Sequence, residues 1–366
     1  MVLFKAITVL FVFIYLPACF VYLLSPEKWW VMGLLSIAFP YLWFLLLLLV
    51  IGWFFIRTSS ACILLILLLA GFPVMKNVFA FGSTSPFIIE KKPGYIRLMQ
   101  WNCNGLQGYN STPWEQVNER YKAVSFIRRY QPDIICMQDF VNSISKYTHS
   151  NISLLKDTLG YPYYIYTQHY KNVYSEISEG VGVAIFSRFP ITDSGKIYYP
   201  GKKVPETIIW AKCNSNGIPL TIATTHFQSM HVSVDENHKA PKDFPQDTAV
   251  IIYGSKLDKL KYFQPYHAFE ARYLRQFING LTGPFILTSD MNSVPSSYVY
   301  NTIKGKDLRD AFLDNGFGLG KTYHSLQPAL RIDYIFHNKE VEATQAAVFS
   351  TTFSDHDPVI MDFKIH

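Results

Sequence analysis

The sequence has only five cysteines, and it lacks the dense lysine and arginine runs of many nucleic-acid-binding proteins. The cysteines form no CxxC pair and no zinc-ligand spacing, so they indicate neither a disulfide framework nor a structural zinc site. The net charge of +6 over 366 residues is mild and does not by itself predict nucleic-acid binding. The sequence also has no GxSxG motif and no visible internal repeat. A serine nucleophile and a repeat architecture are therefore not indicated.

Charge is scarcest at the N-terminus. Roughly the first eighty positions hold few charged residues, namely Lys5, Glu27, Lys28, Arg57 and Lys76. Between them lie three apolar segments, at about 6–24, 30–55 and 60–81. A bilayer core needs about 20 apolar residues per helix, so the first two segments qualify, and the third qualifies if Lys76 snorkels. We therefore expect residues 1–81 to be a membrane anchor of three transmembrane helices that contact the lipid bilayer.

Other readings of this segment are weaker. A cleaved signal peptide has a shorter apolar run and a small-x-small cleavage site, which is missing here. A lipoprotein-type cleavage before Cys19 conflicts with the apolar residues that follow it, and a buried helix pair would show a polar face. Lys5 and Arg57 favour one cytoplasmic side. Three spans then place the rest of the chain on the non-cytoplasmic (periplasmic or extracellular) side, as we expect, whereas two would leave it in the cytoplasm.

The remainder of the chain reads as a linker at 82–94 followed by one domain at 95–366. Short apolar runs predict strands at 95–101, 133–138, 182–186, 207–213, 220–225, 285–288, 332–336 and 359–365, with helices at 114–130 and 266–281. Many buried strands with few helices are typical of an α/β sandwich. A polar stretch at about 228–264 interrupts this pattern and predicts an insertion over the functional face.

Polar side chains recur where these strands end. Asn102, Asn104, Asp139, His226, Asp290, Asn292, Asp333, Asp355 and His356 all follow, flank or lie in an apolar run. Any one of them could be a turn former or a helix cap. Their repetition at strand ends is what indicates a functional site.

The order of these motifs resembles the endonuclease/exonuclease/phosphatase superfamily. The matching blocks are MQWNCNGL at 99–106, PDIICMQD at 132–139, GVAIFSR at 182–188, THF at 225–227, SDMN at 289–292, RIDYIF at 331–336 and SDHDP at 354–358. The resemblance covers residues 95–366. It implies a four-layered α/β sandwich, with two packed mixed β-sheets flanked by helices and a site at one rim.

The resemblance also implies roles for individual residues. The expected catalytic group is His356, Asp290, Asn292, His226 and Asp333. The expected metal ligands are Asp139, Asn102 and Asp355, whose oxygen atoms suit Mg²⁺ or Mn²⁺, and the expected substrate-binding residues are Asn104 and Arg188. The superfamily's metal-holding acid is usually Glu, so Asp139 departs from the pattern by one methylene group, and Ser289 stands where a glycine is usual.

The sequence therefore predicts a membrane-anchored, divalent-metal-dependent hydrolase of phosphate esters that acts by metal- and Asp/His-assisted water attack. A non-catalytic anchored binding module with the same fold is the alternative. The substrate stays open between a lipid head-group phosphodiester and a nucleic acid, and no obligate protein partner is inferred. Aromatic residues of the insertion (Phe244, Tyr253, Tyr262 and Phe263) fit either packing of the insertion itself, the more frequent case, or a lipid interface. Scattered cations (Arg120, Arg128, Arg129, Arg188, Lys202 and Lys203) fit either a solvated surface or a nuclease.

Overall fold

The computed structural model describes residues 2–106, 113–144, 150–174, 177–201, 206–215, 217–230, 250, 254–324 and 330–366. The helices are α1 (Val2–Ala18), α2 (Val31–Ile56), α3 (Thr58–Ala70), α4 (Phe72–Val78), α5 (Pro113–Tyr130), α6 (Asn151–Ser153), α7 (Lys256–Asn279), α8 (Tyr298–Lys304) and α9 (Ala311–Asn315). The strands are β1 (Ala80–Phe81), β2 (Ile96–Asn102), β3 (Ile134–Ile144), β4 (Tyr163–Tyr174), β5 (Ile177–Ser187), β6 (Ile191–Tyr198), β7 (Thr207–Ser215), β8 (Ile218–His226), β9 (Phe285–Asp290), β10 (Arg309–Asp310), β11 (Phe317–Gly318), β12 (Asp333–His337), β13 (Val341–Val348) and β14 (Val359–Ile365).

The apolar N-terminal helices pack against one another in alternating directions. Near the start of α1, Phe4 stacks on Trp53 with ring centroids 5.2 Å apart, and the Trp53 indole N–H donates to Thr8 Oγ1 at 3.0 Å. Near the end of α1, the Tyr15 hydroxyl donates to Leu68 O at 3.4 Å, late in α3. The ends of α1 and α3 therefore lie on the same side as the start of α2.

These helices differ from the predicted spans. Within the described residues, α2 is the one helix that is long and apolar enough to cross a bilayer by itself, and α3 with α4 adds a second if their 54° bend counts as one broken span. Helix α1 has 17 residues and ends at Ala18, six residues before the predicted boundary, since Pro17 lacks an N–H and the chain continues in turns. The predicted span 60–81 breaks at Gly71 and ends at Val78, before β1.

Two mixed sheets of six strands each form the core of the remaining chain, as the resemblance implied for two packed mixed sheets, and a two-stranded sheet pairs β1 with β11. The strand orders of the two larger sheets are β10-β12-β9-β8-β7-β6 and β13-β14-β2-β3-β5-β4. Buried apolar side chains from both sheets meet between them, among them Leu98, Ile134, Ile209 and Ile222. The outer face of the second sheet packs on α5 through Ala123 and Ile127, and that of the first packs on α7 and α8, which gives four layers.

Most predicted strands are present within one or two residues of their expected bounds. Strands β4, β6 and β13 and the two-residue strands β1, β10 and β11 were not predicted. Helix α7 begins at Lys256, ten residues before the expected start at Tyr266. A capping box explains the early start, because Ser255 Oγ accepts from the Asp258 N–H while Asp258 accepts from the Ser255 N–H. The predicted insertion 228–264 therefore includes the first turns of α7. Its residues 231–249 and 251–253, with Phe244 and Tyr253, lie outside the described residues.

The predicted linker, 82–94, packs on the second sheet. The main chain of Ile88 exchanges hydrogen bonds with the Gln345 amide at 2.9 and 3.0 Å. The buried Arg97 guanidinium donates to Ile88 O and Ile89 O while it pairs with Asp362 at 2.6 and 2.7 Å. The stretch is therefore bound along the domain for much of its length.

Candidate active site

The pairing of strands brings the predicted site residues to one rim. Strands β8 and β9 run parallel, so His226 lies opposite Asp290 at their carboxyl ends. Strand β12 runs antiparallel to β9, and its first residue, Asp333, also pairs with Asp290. In the second sheet, β2 and β3 are parallel, so Asn102 lies opposite Gln138. Parallel strands end at the same edge of a sheet, and the two sheets together therefore present their functional side chains on one side.

Asn102 joins the two sheets across this rim. Its side-chain N–H₂ donates to Asp139 Oδ2 at 3.1 Å and to Asp290 Oδ2 at 2.9 Å. Asp139 reaches this position because the register of β3 shifts between Met137 and Phe140, where Asp139 takes a φ of +47°. Left-handed backbone is unfavourable for an L residue other than glycine, and such bulges often redirect a side chain toward a functional site. Asn292 has the same φ, +47°.

Two imidazoles converge on the Asp290 carboxylate. His356 Nδ1 lies 2.9 Å from Asp333 Oδ2 and 3.8 Å from Asp290 Oδ2, and His226 Nε2 lies 3.5 Å from the same Asp290 oxygen. The second Asp333 oxygen accepts from Gln100 Nε2 at 2.9 Å, which fixes the carboxylate. The arrangement holds a carboxylate base between two potential cations.

Asn292 contacts both the Asp290 carboxylate and one of the two histidines. Its main-chain N–H donates to Asp290 Oδ1 at 2.9 Å, and its side-chain amide lies 3.3 Å from His226 Nε2 and donates to Phe227 O at 3.0 Å. The Asp290 carboxylate is therefore held at both oxygens, one by Asn292 and the other by Asn102.

Burial and charge together shift the protonation of these groups. Burial lowers the pKa of His226, but Asp139, Glu206 and Asp290 outweigh it and raise that pKa to about 9. Burial also lowers the pKa of His356, but the carboxylates of Asp333 and Asp290 outweigh it and raise that pKa to about 10. Burial and the neighbouring Asp333 carboxylate raise the pKa of Asp290 to about 6, although His356 and His226 lower it. The surrounding carboxylates therefore favour the charged form of both imidazoles, a combination suited to an anionic substrate.

The predicted metal ligands lie beside this cluster. Burial raises the pKa of Asp355, His356 lowers it, and the nearby Asp139 carboxylate raises it further. Asp139 and Asp355 offer the carboxylate oxygens that Mg²⁺ and Mn²⁺ prefer, whereas Asn102 directs its N–H₂ group at Asp139 and its Oδ1 accepts from the Asn104 N–H. The two carboxylates therefore fit a divalent cation, and Asn102 would bind it only through Oδ1.

A second group of potential ligands overlaps the first. Ligand atoms of Asp290, Asp333 and His356 lie within 4.8 Å of one another, and all three side chains are buried. A cation bound among them would have to displace the 2.9 Å hydrogen bond between His356 and Asp333. A cation between Asn102 and Asp139 would likewise have to displace the 3.1 Å hydrogen bond that joins those two side chains.

The two predicted substrate-binding residues have different outcomes. Asn104 lies at the rim, where its N–H donates to Asn102 Oδ1 at 3.3 Å and its buried side-chain nitrogen has no hydrogen-bond partner among the described residues. Arg188 does not belong to the site. It follows β5, which runs antiparallel to β3, so its N–H donates to Asp133 O at the opposite end of the sheet and its guanidinium covers the Tyr161 ring at 5.0 Å.

Two residues near the site were not predicted from the sequence. The Glu206 carboxylate lies 3.8 Å from His226 Nδ1, and Gln100 holds Asp333. Glu206 precedes β7 outside every motif block, so no sequence signal indicated it. Gln100 could have been found, because it is a polar residue within a strand whose other neighbours are mostly apolar.

The chain matches two protein-family models, one over most of the residues that follow the N-terminal helices and one over the helices themselves. Residues 99–356 match the model of the Endonuclease/Exonuclease/phosphatase family, and residues 1–78 match a domain of unknown function, DUF8431. No curated protein matches the chain.

Solved structures share the fold. An endonuclease/exonuclease/phosphatase from Beutenbergia cavernae DSM 12333 is 17% identical with a TM-score of 0.52, over 74% of this chain and 72% of that one. D. rerio TDP2, humanized by 14 mutations, is also 17% identical with a TM-score of 0.50, over 74% and 99%. At this identity the likeness establishes the four-layered fold, and the site must be argued from its own residues.

Proposed function

The chain belongs to the endonuclease/exonuclease/phosphatase family, and we propose that it is a membrane-anchored, divalent-metal-dependent hydrolase of phosphodiesters. The observation that carries the proposal is the convergence of two buried imidazoles on Asp290, at 3.5 Å from His226 and 3.8 Å from His356. A phosphodiester anion repels nucleophiles, so positive charge at the phosphate must precede attack by water. Despite burial, the carboxylates of Asp333 and Asp290 favour the charged form of His356 and raise its pKa.

The residues divide the proton work between them. Asp290 is ionised, buried and held by Asn102 and Asn292, so it is the group that accepts a proton from the attacking water. His356 donates a hydrogen bond to the phosphate side through Nε2, because its Nδ1 faces Asp333. His226 supplies a second cationic donor. No covalent intermediate is needed for this route.

A divalent cation would be held by Asp139, Asn102 and Asp355. When bound, such a cation supplies Lewis-acid charge to a phosphoryl oxygen and to the leaving oxygen. Mg²⁺ or Mn²⁺ suits these donors, and chelation is expected to remove activity.

We further propose that α1, α2 and the bent α3–α4 pair all cross a membrane, and that the catalytic domain therefore lies on its non-cytoplasmic side. Lys5 and Arg57 lie near the end of the helix bundle that is remote from the two sheets, since Phe4 packs on Trp53 there. Positive residues near membrane spans favour the cytoplasmic side. The opposite end of the bundle, with the start of α2, contacts the catalytic domain, for example where Ser296 Oγ donates to Ser36 O at 2.6 Å.

A lipid head-group phosphodiester is the substrate class that we favour. Asn292 at the site lies only four residues before Ser296, which contacts α2. A substrate in the same bilayer would therefore meet the site at high effective concentration. Three of the cations expected for a nuclease lie at the end of β3 that is remote from the site, since Arg128 and Arg129 are in the last turn of α5 and Arg188 follows β5. Arg120 lies earlier in α5 and donates to Ser150 O at 3.4 Å. Lys202 and Lys203 lie outside the described residues.

The test uses the full-length protein reconstituted in vesicles, assayed with Mg²⁺ or EDTA. The substrates are vesicle phospholipids, single-stranded DNA and bis-p-nitrophenyl phosphate. His356→Ala and Asp290→Asn should abolish Mg²⁺-dependent hydrolysis. The matched controls are His366→Ala and Asp193→Asn, whose side chains are exposed and remote from the site, and they should retain activity.

The outcomes separate the alternatives. Release of a head group supports the lipid assignment, whereas DNA cleavage that weakens steeply with salt would replace it with a nuclease. Unchanged hydrolysis in both site variants would refute the catalytic assignment. Inactivity on every substrate with either metal would favour the non-catalytic binding module.

A further inference from the structure

Two chain segments that carry predicted catalytic residues also form hydrogen bonds with the apolar N-terminal helices. Asp290 and Asn292 precede Ser296, whose buried hydroxyl donates to Ser36 O in the second turn of α2 at 2.6 Å. Asp333 follows Arg331, whose Nη2 donates to Asn77 O in the last turn of α4 at 2.7 Å. Both links bridge more than 250 positions of sequence.

Arg331 is built into this junction. Its side chain is 1% exposed, and Nη1 pairs with Asp310 at 2.6 Å. The guanidinium lies between the rings of Tyr300, Phe312 and Tyr334, with centroids 5.1 to 5.9 Å away. A helix leaves its last carbonyls without helical partners, so a guanidinium at Asn77 O caps the end of α4. A buried guanidinium in turn needs such acceptors.

One hydroxyl ties the two segments together. Tyr334 Oη lies 2.7 Å from Arg331 O and 2.8 Å from Ser293 O, and both are acceptors for its proton. Ser293 directly follows Asn292. A shift of Arg331 would therefore move both catalytic segments. Asp333 is two residues further along the same chain, and Asn292 is connected through the hydrogen bonds of Tyr334.

Further polar contacts hold the apolar helices against the catalytic domain. Asn77 accepts from Lys304 at 3.0 Å and donates to Asn301 at 3.1 Å. The loop between α1 and α2 supplies Glu27, which pairs with both terminal nitrogens of Arg272 at 2.7 and 2.8 Å. Two hydrogen bonds from one guanidinium fix direction as well as distance. These contacts lie at separate places along the domain-side end of the helix bundle.

We infer that residues 1–78 are a docked, integral part of the catalytic unit, and that Arg331 is a positioning residue linking the end of α4 to the Asp333–His356 pair. The docking stands on the contacts alone, while the positioning role rests on the proposed function. A soluble fragment that starts near Lys91 would lose the Asn77 carbonyl, so Arg331 would keep its charge without that acceptor. Such a fragment should have lower kcat than the full chain on a soluble diester.

The docking is tested by cutting the chain without removing any part of it. A protease site is inserted between Thr84 and Ser85, which are exposed, in the full-length protein in mild detergent. After cleavage, the two pieces should co-elute on gel filtration because the contacts above do not depend on the linker. Separation of the pieces, in a detergent that keeps the uncut protein monodisperse, would overturn the inference. This readout needs no enzymatic activity, so it stands apart from the proposed function.

The positioning role is tested by Arg331→Met, with Arg331→Lys as the conservative variant. Arg331→Met should lower kcat on bis-p-nitrophenyl phosphate by at least about tenfold with KM changed less than about twofold, and lysine should restore part of kcat. Arg275→Met is the matched control, because Arg275 makes the same kind of paired contact, with Ile303 O and Asp307, away from Asp333.

The conservative variant covers the case in which Arg331→Met does not fold, because lysine cannot reproduce the paired contacts of the guanidinium. Unchanged kcat in a folded Arg331→Met, or in a folded Arg331→Lys if the first does not fold, would overturn the positioning role of Arg331.

Discussion

Replacing Asp333 with asparagine tests the chemistry of the site with the least change of shape. The Asp333 carboxylate accepts from His356 Nδ1 and from Gln100 Nε2, each at 2.9 Å, and it is the strongest of the carboxylates that raise the pKa of His356. Asparagine keeps the volume but removes the charge and offers an N–H where one acceptor stood. The imidazole then loses both its orientation and much of its preference for the cationic form.

The expected cost follows from the size of positioned acid–base effects, which are about 10² to 10⁴ in rate, or about 3 to 5 kcal/mol of activation free energy. We expect kcat on bis-p-nitrophenyl phosphate to fall within that range, measured at saturating Mg²⁺ with the full-length protein. Asp362→Asn is the control, since Asp362 is an equally buried acid that pairs with Arg97 away from the site. The control should lower thermal stability and leave kcat of the folded fraction intact. A loss below about threefold for a folded Asp333→Asn would refute the reasoning.

Three further predictions concern the metal, the side of the membrane and pH. Asp139→Asn should raise the Mg²⁺ concentration for half-maximal activity at least about tenfold, while Asp139→Glu should lower it or leave it unchanged; an unaltered titration in Asp139→Asn would remove Asp139 as a ligand. In a Cys62→Ala background, Ser85→Cys should react with a membrane-impermeant maleimide in intact cells, and protection until lysis would place the domain in the cytoplasm. Burial lowers the pKa of His337 below its usual 6.5, so its contribution to stability is present above that value and is lost as the pH falls. The melting temperature of the parent should therefore drop more between about pH 7.5 and pH 5 than that of His337→Gln, and equal drops would contradict this assignment.

Much of the soluble fold could be predicted from the sequence because its strands are buried apolar runs that end in polar residues. Strand β2 was expected at 95–101 and lies at Ile96–Asn102, and β14 lies where it was expected, at 359–365. The missed strands β6 and β13 have mixed burial along their length. Edge strands with such patterns lack the continuous apolar run that identifies the central ones.

Strand direction explains which site residues could be predicted. His226, Asp290 and Asn102 each end a strand, and the parallel pairing of those strands collects them at one rim. Arg188 directly follows a strand, but β5 is antiparallel to β3, so Arg188 lies at the other end of the sheet. A sequence motif records the end of a strand and carries no information about the direction of its neighbour. Asp139 depended in addition on a bulge, which only the paired strands reveal.

The sequence by itself determined the apolar N-terminal helices, the two-sheet sandwich and the types of residue at the site, because hydropathy and side-chain chemistry are local properties. The tertiary structure alone decided that the predicted linker is bound along the domain and that Arg331 and Ser296 meet α4 and α2. Those contacts join residues 254 and 260 positions apart. Hydrogen bonds between such distant residues depend on the packing of the whole chain, since neither partner carries a signal of the other in its own neighbourhood.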